Sequence, residues 1–252
     1  MKSILKAAIC LCVILFLVMF TAGAQLSMNV PKYQFGINAG VFVYQGDLTP
    51  SALGSYKTLR PVISLFASRL LSASFAGRIN LAFGGLKGDD AKYDHPGYRQ
   101  QRNFNFNSPV AEVSGLAEWN ILGRNYISRG FAPYLFAGVG FSLLKIRRDF
   151  SRLNGEYFGS ESELITGLTK DVLRPLPGAL LVLPVGIGAR YYLSDKIGVS
   201  AETTYRLMSS DYLDGFSQAA NPAKRDHYYS HTVGVVYRIG KKNTLACPVI
   251  KY

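Results

Sequence analysis

The stretch from Ala179 to Leu207 constrains the fold more than any other part of the chain. Its residues alternate between an apolar face and a mixed face over two segments joined by a short turn at Ser194-Asp195-Lys196. A period of two predicts β-strands with unlike faces. The apolar positions are Leu181, Leu183, Val185, Ile187, Ala189 and Tyr191 in the first segment and Ile197, Val199, Ala201, Thr203, Tyr205 and Leu207 in the second.

The opposite face of these two strands carries glycines, hydroxyl groups, arginine and glutamate. Glycine weakens a strand that faces water, but it suits a crowded polar interior where backbones approach closely. The apolar face would then meet lipid, as in outer-membrane barrels, which are apolar outside and polar inside. With the faces exchanged, each Arg or Lys at mid-membrane depth would cost roughly 2–4 kcal/mol. A soluble antiparallel sheet that covers a core is the alternative.

The first 24 residues have the pattern of a secretory signal peptide. Lys2 and Lys6 precede an apolar run from Ala7 to Phe20, and Ala22-Gly23-Ala24 is a small-residue cleavage site. The run is shorter than the roughly 20 apolar residues that a spanning helix needs. We therefore predict export and cleavage after Ala24, which divides the chain into a signal peptide (1–24), a barrel (25–240) and a C-terminal tail (241–252).

Removal of the signal peptide changes the cysteine count and the charge. Cys247 is then the remaining cysteine, so no intramolecular disulfide framework is expected. Without Lys2 and Lys6, 26 basic residues face 16 acidic ones. An exported chain rarely meets nucleic acid, so we interpret the excess as rim and loop charge that faces anionic lipid headgroups or acidic partners.

Alternation recurs along the chain and predicts eight strands, with no helical periodicity between them. The predicted strands cover residues 32–44, 59–70, 75–84, 104–121, 131–146, 179–192, 197–207 and 226–239. The predicted fold is all-β, an eight-stranded antiparallel transmembrane β-barrel of the outer membrane. Long and short connections alternate, which predicts extracellular long loops, periplasmic short turns and both termini in the periplasm.

Aromatic residues on the apolar face fall near both ends of the predicted strands, as expected for girdles at the two membrane interfaces. Those near the short turns are Tyr33, Phe75, Trp119, Tyr191 and Tyr237, and those near the long loops are Phe83, Tyr205 and Tyr229.

Charged residues on the inner face are the strongest polar group in the sequence. They are Arg78, Glu112, Glu118, Arg190, Glu202, Arg206 and Arg238. Because an eight-stranded barrel is just wide enough for side chains to fill it, we predict a closed plug of ion pairs and hydrogen bonds. A narrow ion-conducting pore is the alternative.

Catalytic, cofactor and metal sites are not expected. Ser230 and His231 are adjacent in a strand and point to opposite faces, which excludes a nucleophile–base pair within it. His227 shares a face with His231. The acidic residues Asp89, Asp90 and Asp94 match no calcium motif and are interpreted as a solvated loop. Gly138-x-Gly140 and Gly186-x-Gly188 lie inside strands, so no dinucleotide fingerprint is present.

Seven stretches give the chain a family resemblance. They are GVFVYQGDL (Gly40–Leu48), RP (Arg60-Pro61), GLKGDD (Gly85–Asp90), RNFNF (Arg102–Phe106), FAPYLFAGVG (Phe131–Gly140), LPVGIGARYYLS (Leu183–Ser194) and TYRLMSSDYLDGFS (Thr204–Ser217). In this order they resemble the PorG-like outer-membrane β-barrel proteins of the type IX secretion system and gliding motility.

The resemblance implies a non-enzymatic barrel that anchors the periplasmic ring of a protein export machine. Outer-membrane lipid and periplasmic ring lipoproteins are the expected partners, and residues 241–252 could meet such a partner. The alternative is a stand-alone, small OmpA- or OmpW-like barrel that acts as a narrow pore or a surface-binding protein. A lipid-modifying enzyme is the third hypothesis. The resemblance to the family implies no catalytic residues in this chain.

Overall fold

The computed structural model describes residues 31–221 and 225–240 of the chain. The predicted signal peptide, its cleavage site, the C-terminal tail and Cys247 lie outside these described residues.

The described residues form one antiparallel sheet of eight long strands and one short strand. These are β1 (Tyr33–Gln45), β2 (Arg60–Leu70), β3 (Phe75–Asp89), β4 (Asn105–Asn120), β5 (Gly130–Leu144), β6 (Arg147–Asp149), β7 (Ala179–Tyr192), β8 (Ile197–Met208) and β9 (His227–Ile239). The order is β3-β2-β1-β9-β8-β7-β5-β4, and a further pairing of β3 with β4 closes the sheet. The short β6 continues alongside β4 beyond the end of β5. The predicted eight-stranded antiparallel barrel is confirmed.

The two faces of the strands are unlike in the manner the alternation predicts. Outward residues of β7 and β9 such as Ile187 and Val233 are 57% and 66% exposed, whereas inward Arg190 is 1% exposed. A continuous exposed band of Leu, Ile, Val and Phe far exceeds the apolar patches of soluble proteins. Because a closed barrel satisfies its backbone hydrogen bonds internally, this band can face hydrocarbon. The fold is that of a transmembrane β-barrel of the outer-membrane type.

Among the described residues, the helices are all too short or too polar to cross a membrane.

Exposed aromatic residues form a ring at the short-turn end of the barrel. Tyr33, Phe75, Trp119, Tyr191 and Tyr237 all lie on the outer wall, and Phe131 joins them beside Tyr191. At the opposite end Phe83 is exposed as predicted.

The expectation that Tyr229 faces lipid is wrong. The side chain points outward, but the connection between β1 and β2 folds down over it. The Tyr229 hydroxyl donates to the Leu53 carbonyl, and the Tyr56 ring packs edge-on at 6.3 Å. Tyr229 is therefore buried.

The long connections fold into a structured cap rather than open loops. Two 3₁₀ helices cover Tyr56–Thr58 and Asp90–Lys92, and three α-helices follow: α1 (Tyr98–Arg102), α2 (Gly155–Phe158) and α3 (Glu163–Leu173). Helix α3 contradicts the expectation of no helix. Its start is a standard one, since the Ser162 side chain accepts from the Ile165 amide and Glu163 lies in the first turn.

An apolar core lies between the cap and the long-loop end of the barrel. Phe42 and Val182 from the strands pack with Leu168 of α3 and with Phe104 and Phe216 of the connections. The rings of Phe104 and Phe216 stack with centroids 4.3 Å apart. This core closes the barrel at the long-loop end.

Candidate functional site

All seven charged residues predicted for the lumen point inward and are buried. Arg78, Glu112, Glu118, Arg190, Glu202, Arg206 and Arg238 are each 6% exposed or less. Their strands β3, β4, β7, β8 and β9 surround the lumen, so the fold brings residues far apart in sequence to one place.

Four of these residues form one ion-pair group in the part of the lumen nearer the short turns. Arg190 donates two hydrogen bonds to Glu118, at 2.9 and 2.8 Å. Arg78 contacts Glu202 at 2.7 Å and Glu118 at 3.2 Å, and so joins the two carboxylates. Tyr134 also donates to Glu202. Such charge-assisted, bidentate bonds compensate part of the cost of burying the charges.

Aromatic rings cover the flat faces of the two guanidinium groups. The Cζ atom of Arg78 lies 3.9 Å from the centroid of Phe66, and that of Arg190 lies 4.0 Å from the centroid of Tyr134. Cation–π contacts of this kind are strongest when they are desolvated, as here.

Glu112 and Arg206 form a second group nearer the cap. Arg206 Nε donates to Glu112 at 2.5 Å, and Arg206 also donates to Ser230 at 2.9 Å. The Tyr228 hydroxyl donates to the same carboxylate at 2.9 Å.

Arg238 lies apart from both groups, at the short-turn end of the lumen. Its guanidinium donates to five backbone carbonyl oxygens at 2.8–3.4 Å, those of Asn125, Ile127, Ser128, Ser194 and Asp195. It also lies 3.7 Å from the centroid of the Tyr192 ring. Arg238 thereby links the turn between β4 and β5 to the turn between β7 and β8.

The lumen between these groups is filled. The interior void that Arg78, Glu112 and Pro184 help to line has a volume of about 10 Å³ within the described residues. This is room for about one water molecule. A polar interior packed in this way has the character of a plug, because an ion or solute would have to displace paired charges to pass.

Ser230 and His231 lie on opposite sides of the wall, as the alternation predicts. Ser230 points into the lumen and accepts from Arg206. His231 points outward, with Nδ1 2.9 Å from the Thr203 hydroxyl and Nε2 3.2 Å from the Tyr56 hydroxyl. The pair is thus separated by the wall of the barrel.

The interpretation of Asp90 as part of a solvated loop is wrong. Asp90 is fully buried and binds Arg99 at 2.7 Å and Arg102 at 2.7 Å. Both arginines also donate to the Asp47 carbonyl. These bonds hold α1 against the connection that follows β1, and the local charge pairing is what keeps the carboxylate buried.

Asp171 of α3 is a second buried carboxylate, one that was not predicted from the sequence. It accepts hydrogen bonds from the backbone amides of Ser217, Gln218 and Ala219 and from the Tyr212 hydroxyl, at 2.9–3.1 Å. Asp171 therefore fixes the connection between β8 and β9 onto helix α3.

Asp214 and Asp226 meet at a single tyrosine hydroxyl under the cap. The Tyr44 oxygen lies 2.7 Å from Asp214 and 3.1 Å from Asp226. A hydroxyl has one proton and can donate to only one of them, so the second contact requires a proton on a carboxyl group. Burial raises the pKa of Asp214 to about 8, and burial together with Asp214 and Asp47 raises the pKa of Asp226. The group therefore holds a shared proton at neutral pH.

These features define a class: a small outer-membrane β-barrel whose lumen is filled by paired charges and whose long-loop end is capped. The chain belongs to the family described as a domain of unknown function (DUF6089), whose model matches residues 8–248. A comparison with curated proteins finds no match.

Solved structures of other small barrels are similar in outline. The attachment invasion locus protein Ail of Yersinia pestis is 10% identical, with 83% of this chain and 99% of that chain covered and a TM-score of 0.46. Neisserial surface protein A is 14% identical, with 82% and 97% covered and a TM-score of 0.42. The outer membrane protein OprG from Pseudomonas aeruginosa is 10% identical, with 84% and 99% covered and a TM-score of 0.42. With TM-scores below 0.5, these similarities say nothing further about this chain.

Proposed function

We propose that the protein is a non-enzymatic outer-membrane barrel that serves as a structural component of a type IX protein secretion or gliding assembly. The observation that carries this proposal is the filled lumen. Two ion-pair groups and Arg238 occupy the interior, and among the described residues the void between the two groups has a volume of about 10 Å³. A barrel with no room for a solute acts through its surfaces. The seven stretches that resemble PorG-like proteins support the particular assembly.

The short-turn end offers a surface suited to a partner in the periplasm. Arg124 and Arg129 are exposed in one short turn and Lys196 in the next. Arg238 links these two turns from inside the lumen, so the cations are carried on a preformed frame. With short turns in the periplasm, as is usual for such barrels, this basic rim would attract an acidic partner surface.

Affinity purification of a tagged copy from outer membranes, followed by mass spectrometry, tests the proposal. Co-purification of periplasmic ring lipoproteins is the expected result. Recovery of a folded barrel without partners would contradict the assembly role.

A pair of charge reversals at the rim sharpens this experiment. Arg124→Glu combined with Arg129→Glu should reduce lipoprotein recovery by at least about tenfold, because like charges across an interface are repulsive. The matched control, Arg152→Glu with Lys170→Glu, reverses two exposed cations in the cap and should leave recovery unchanged.

The second candidate is a stand-alone barrel that binds ligands or cell surfaces through its long-loop end. The structured cap favours it over a pore, since its helices and apolar core present a fixed outer surface. Purification without partners, together with binding of the intact barrel to cells or matrix, would favour this candidate.

A further inference from the structure

The lipid-facing wall has a depression near its long-loop end, where three neighbouring strands carry little side-chain bulk. Gly85 of β3 pairs directly with Pro109 of β4, and Pro61 of β2 precedes Val62, the partner of Gly84. These positions are the floor of an open groove with a volume of about 440 Å³. Ile63 and Phe83 form its apolar lower side and are 52% and 51% exposed.

Cations surround the upper side of this groove. Arg60 lines it directly. Lys87, Asn107 and Arg147 are consecutive partners across β3, β4 and β6, one outward position above Gly85 and Pro109. The Lys145 amide donates to the Pro109 carbonyl, which places an exposed lysine at the side of the groove.

The acidic residues of this region lie one outward position farther from the groove. Asp89 and Asp149 both pair with Asn105, and Asp89 binds Lys87 at 3.4 Å. From the middle of the wall toward the cap, the order is therefore apolar groove, then cations, then carboxylates. This is the order of acyl chain and phosphate in a lipid, with the carboxylates on the cap side of the cations.

We propose that this groove and its cations form a binding site for an anionic lipid that carries acyl chains and phosphate, in the leaflet at the long-loop end. An acyl chain lies over Pro61, Gly85 and Pro109, and the phosphate contacts Arg60, Lys87, Lys145 and Arg147. The site is independent of the secretion role, because it needs only the barrel wall.

Lipid retention measures the site directly. The full chain is folded into vesicles of phosphatidylcholine and phosphatidylglycerol in a three-to-one ratio, extracted with mild detergent, and the co-extracted lipid is quantified by mass spectrometry. Phosphatidylglycerol should be enriched at least about threefold over its share of the bulk lipid. Recovery at the bulk ratio would overturn the proposal.

Two variants remove the two halves of the site. Lys145→Gln with Arg147→Gln removes cations and should return retention to the bulk ratio, whereas Arg152→Gln with Lys170→Gln in the cap should retain the enrichment.

Gly85→Leu fills the groove, and the backbone admits a side chain there, because an added Cβ would meet its nearest atoms at 3.7–3.8 Å.

Gly115→Leu is the matched control for the groove, since it adds the same side chain to the lipid-facing wall at a place with no atoms within 4 Å of an added Cβ. Enrichment lost in Gly85→Leu and kept in Gly115→Leu supports the site. Enrichment kept in both the groove and the cation variants overturns it. Inorganic phosphate at matched ionic strength should leave the enrichment unchanged; competition by free phosphate would also overturn a site that requires the acyl chain.

Discussion

Arg190 and Glu118 make a two-bond ion pair inside the lumen, at 2.9 and 2.8 Å, from the two strands that flank β5. Arg190 is the largest side chain among the fully buried residues described. The pair shows how the barrel interior is built. The guanidinium group of one strand is neutralised by a carboxylate of another strand, and an aromatic ring covers the guanidinium group.

Arg190→Met should destabilise the barrel markedly. The substitution keeps most of the apolar volume but leaves Glu118 with Arg78 alone, at 3.2 Å. Removing one partner of a buried pair costs about 3–5 kcal/mol, because the other charge stays buried. Urea unfolding of the barrel in lipid vesicles measures this change. Arg152→Met, at an exposed cap position, is the control, and equal unfolding midpoints for the two variants would refute the role given to Arg190.

Gly138→Ala and Gly115→Ala should differ although both change glycine in adjacent strands. A Cβ at Gly138 would lie 1.9 Å from the Gly115 carbonyl oxygen, which is backbone and cannot move aside. A Cβ at Gly115 meets no atom within 4 Å. We expect slow or incomplete folding for Gly138→Ala and wild-type folding for Gly115→Ala, as followed by the heat-modifiable band on gels. Similar folding of both would show that β4 and β5 are not so close.

Asp171→Asn should loosen the connection between β8 and β9 without unfolding the barrel. Three backbone amides and the Tyr212 hydroxyl donate to this carboxylate, and an amide side chain has only one oxygen to accept them. Unpaired buried donors cost about 1–3 kcal/mol. Hydrogen exchange at residues 217–219 should accelerate by at least about tenfold, while Asp149→Asn, at an exposed site, leaves it unchanged.

The cap should lose stability as the pH rises. The pKa of Asp214 is raised by burial from 3.8 to about 8, so between these values the folded state holds a proton that the unfolded state has released. The contribution of Asp214 to stability therefore falls with increasing pH across that window and is constant above it. Negative charge on Asp47 and Asp211 nearby raises the pKa of Asp214 further.

Limited proteolysis of residues 209–221 between pH 5 and pH 9 measures this dependence. Cleavage should become faster toward alkaline pH in the wild-type protein. Asp226→Asn supplies a permanent donor in place of the shared proton and should flatten the profile. A wild-type rate that is independent of pH would mean that Asp214 and Asp226 share no proton.

The barrel could be predicted from the sequence because the alternation within each strand identifies that strand. Alternation at Leu181, Val182, Leu183 and Pro184 assigns each side chain to the outer or inner face without knowledge of any partner strand. The inward position of Arg78, Glu118 and Arg190 follows from the same rule, although their pairing could not be predicted, since it depends on the register of four strands.

The cap could not be predicted from the sequence because its hydrogen bonds and ion pairs join residues that are distant in sequence. Asp171 binds amides more than 40 positions away, and Tyr44 meets Asp214 across 170 positions. Nothing local distinguishes Asp90 from a solvated acid until Arg99 and Arg102 fold onto it. Helix α3 did leave a local signal, the Ser162 cap followed by Glu163, which a search for helix starts could have found.

Planar-bilayer recording of the purified, refolded barrel tests the filled lumen most directly. A barrel whose interior is occupied by the Arg78–Glu118–Arg190–Glu202 and Glu112–Arg206 groups should insert without producing stable conductance steps, and heat-modifiable migration on gels confirms that the inserted protein is folded. Reproducible steps of uniform size from the folded wild-type protein would contradict the plug and establish the barrel as a pore.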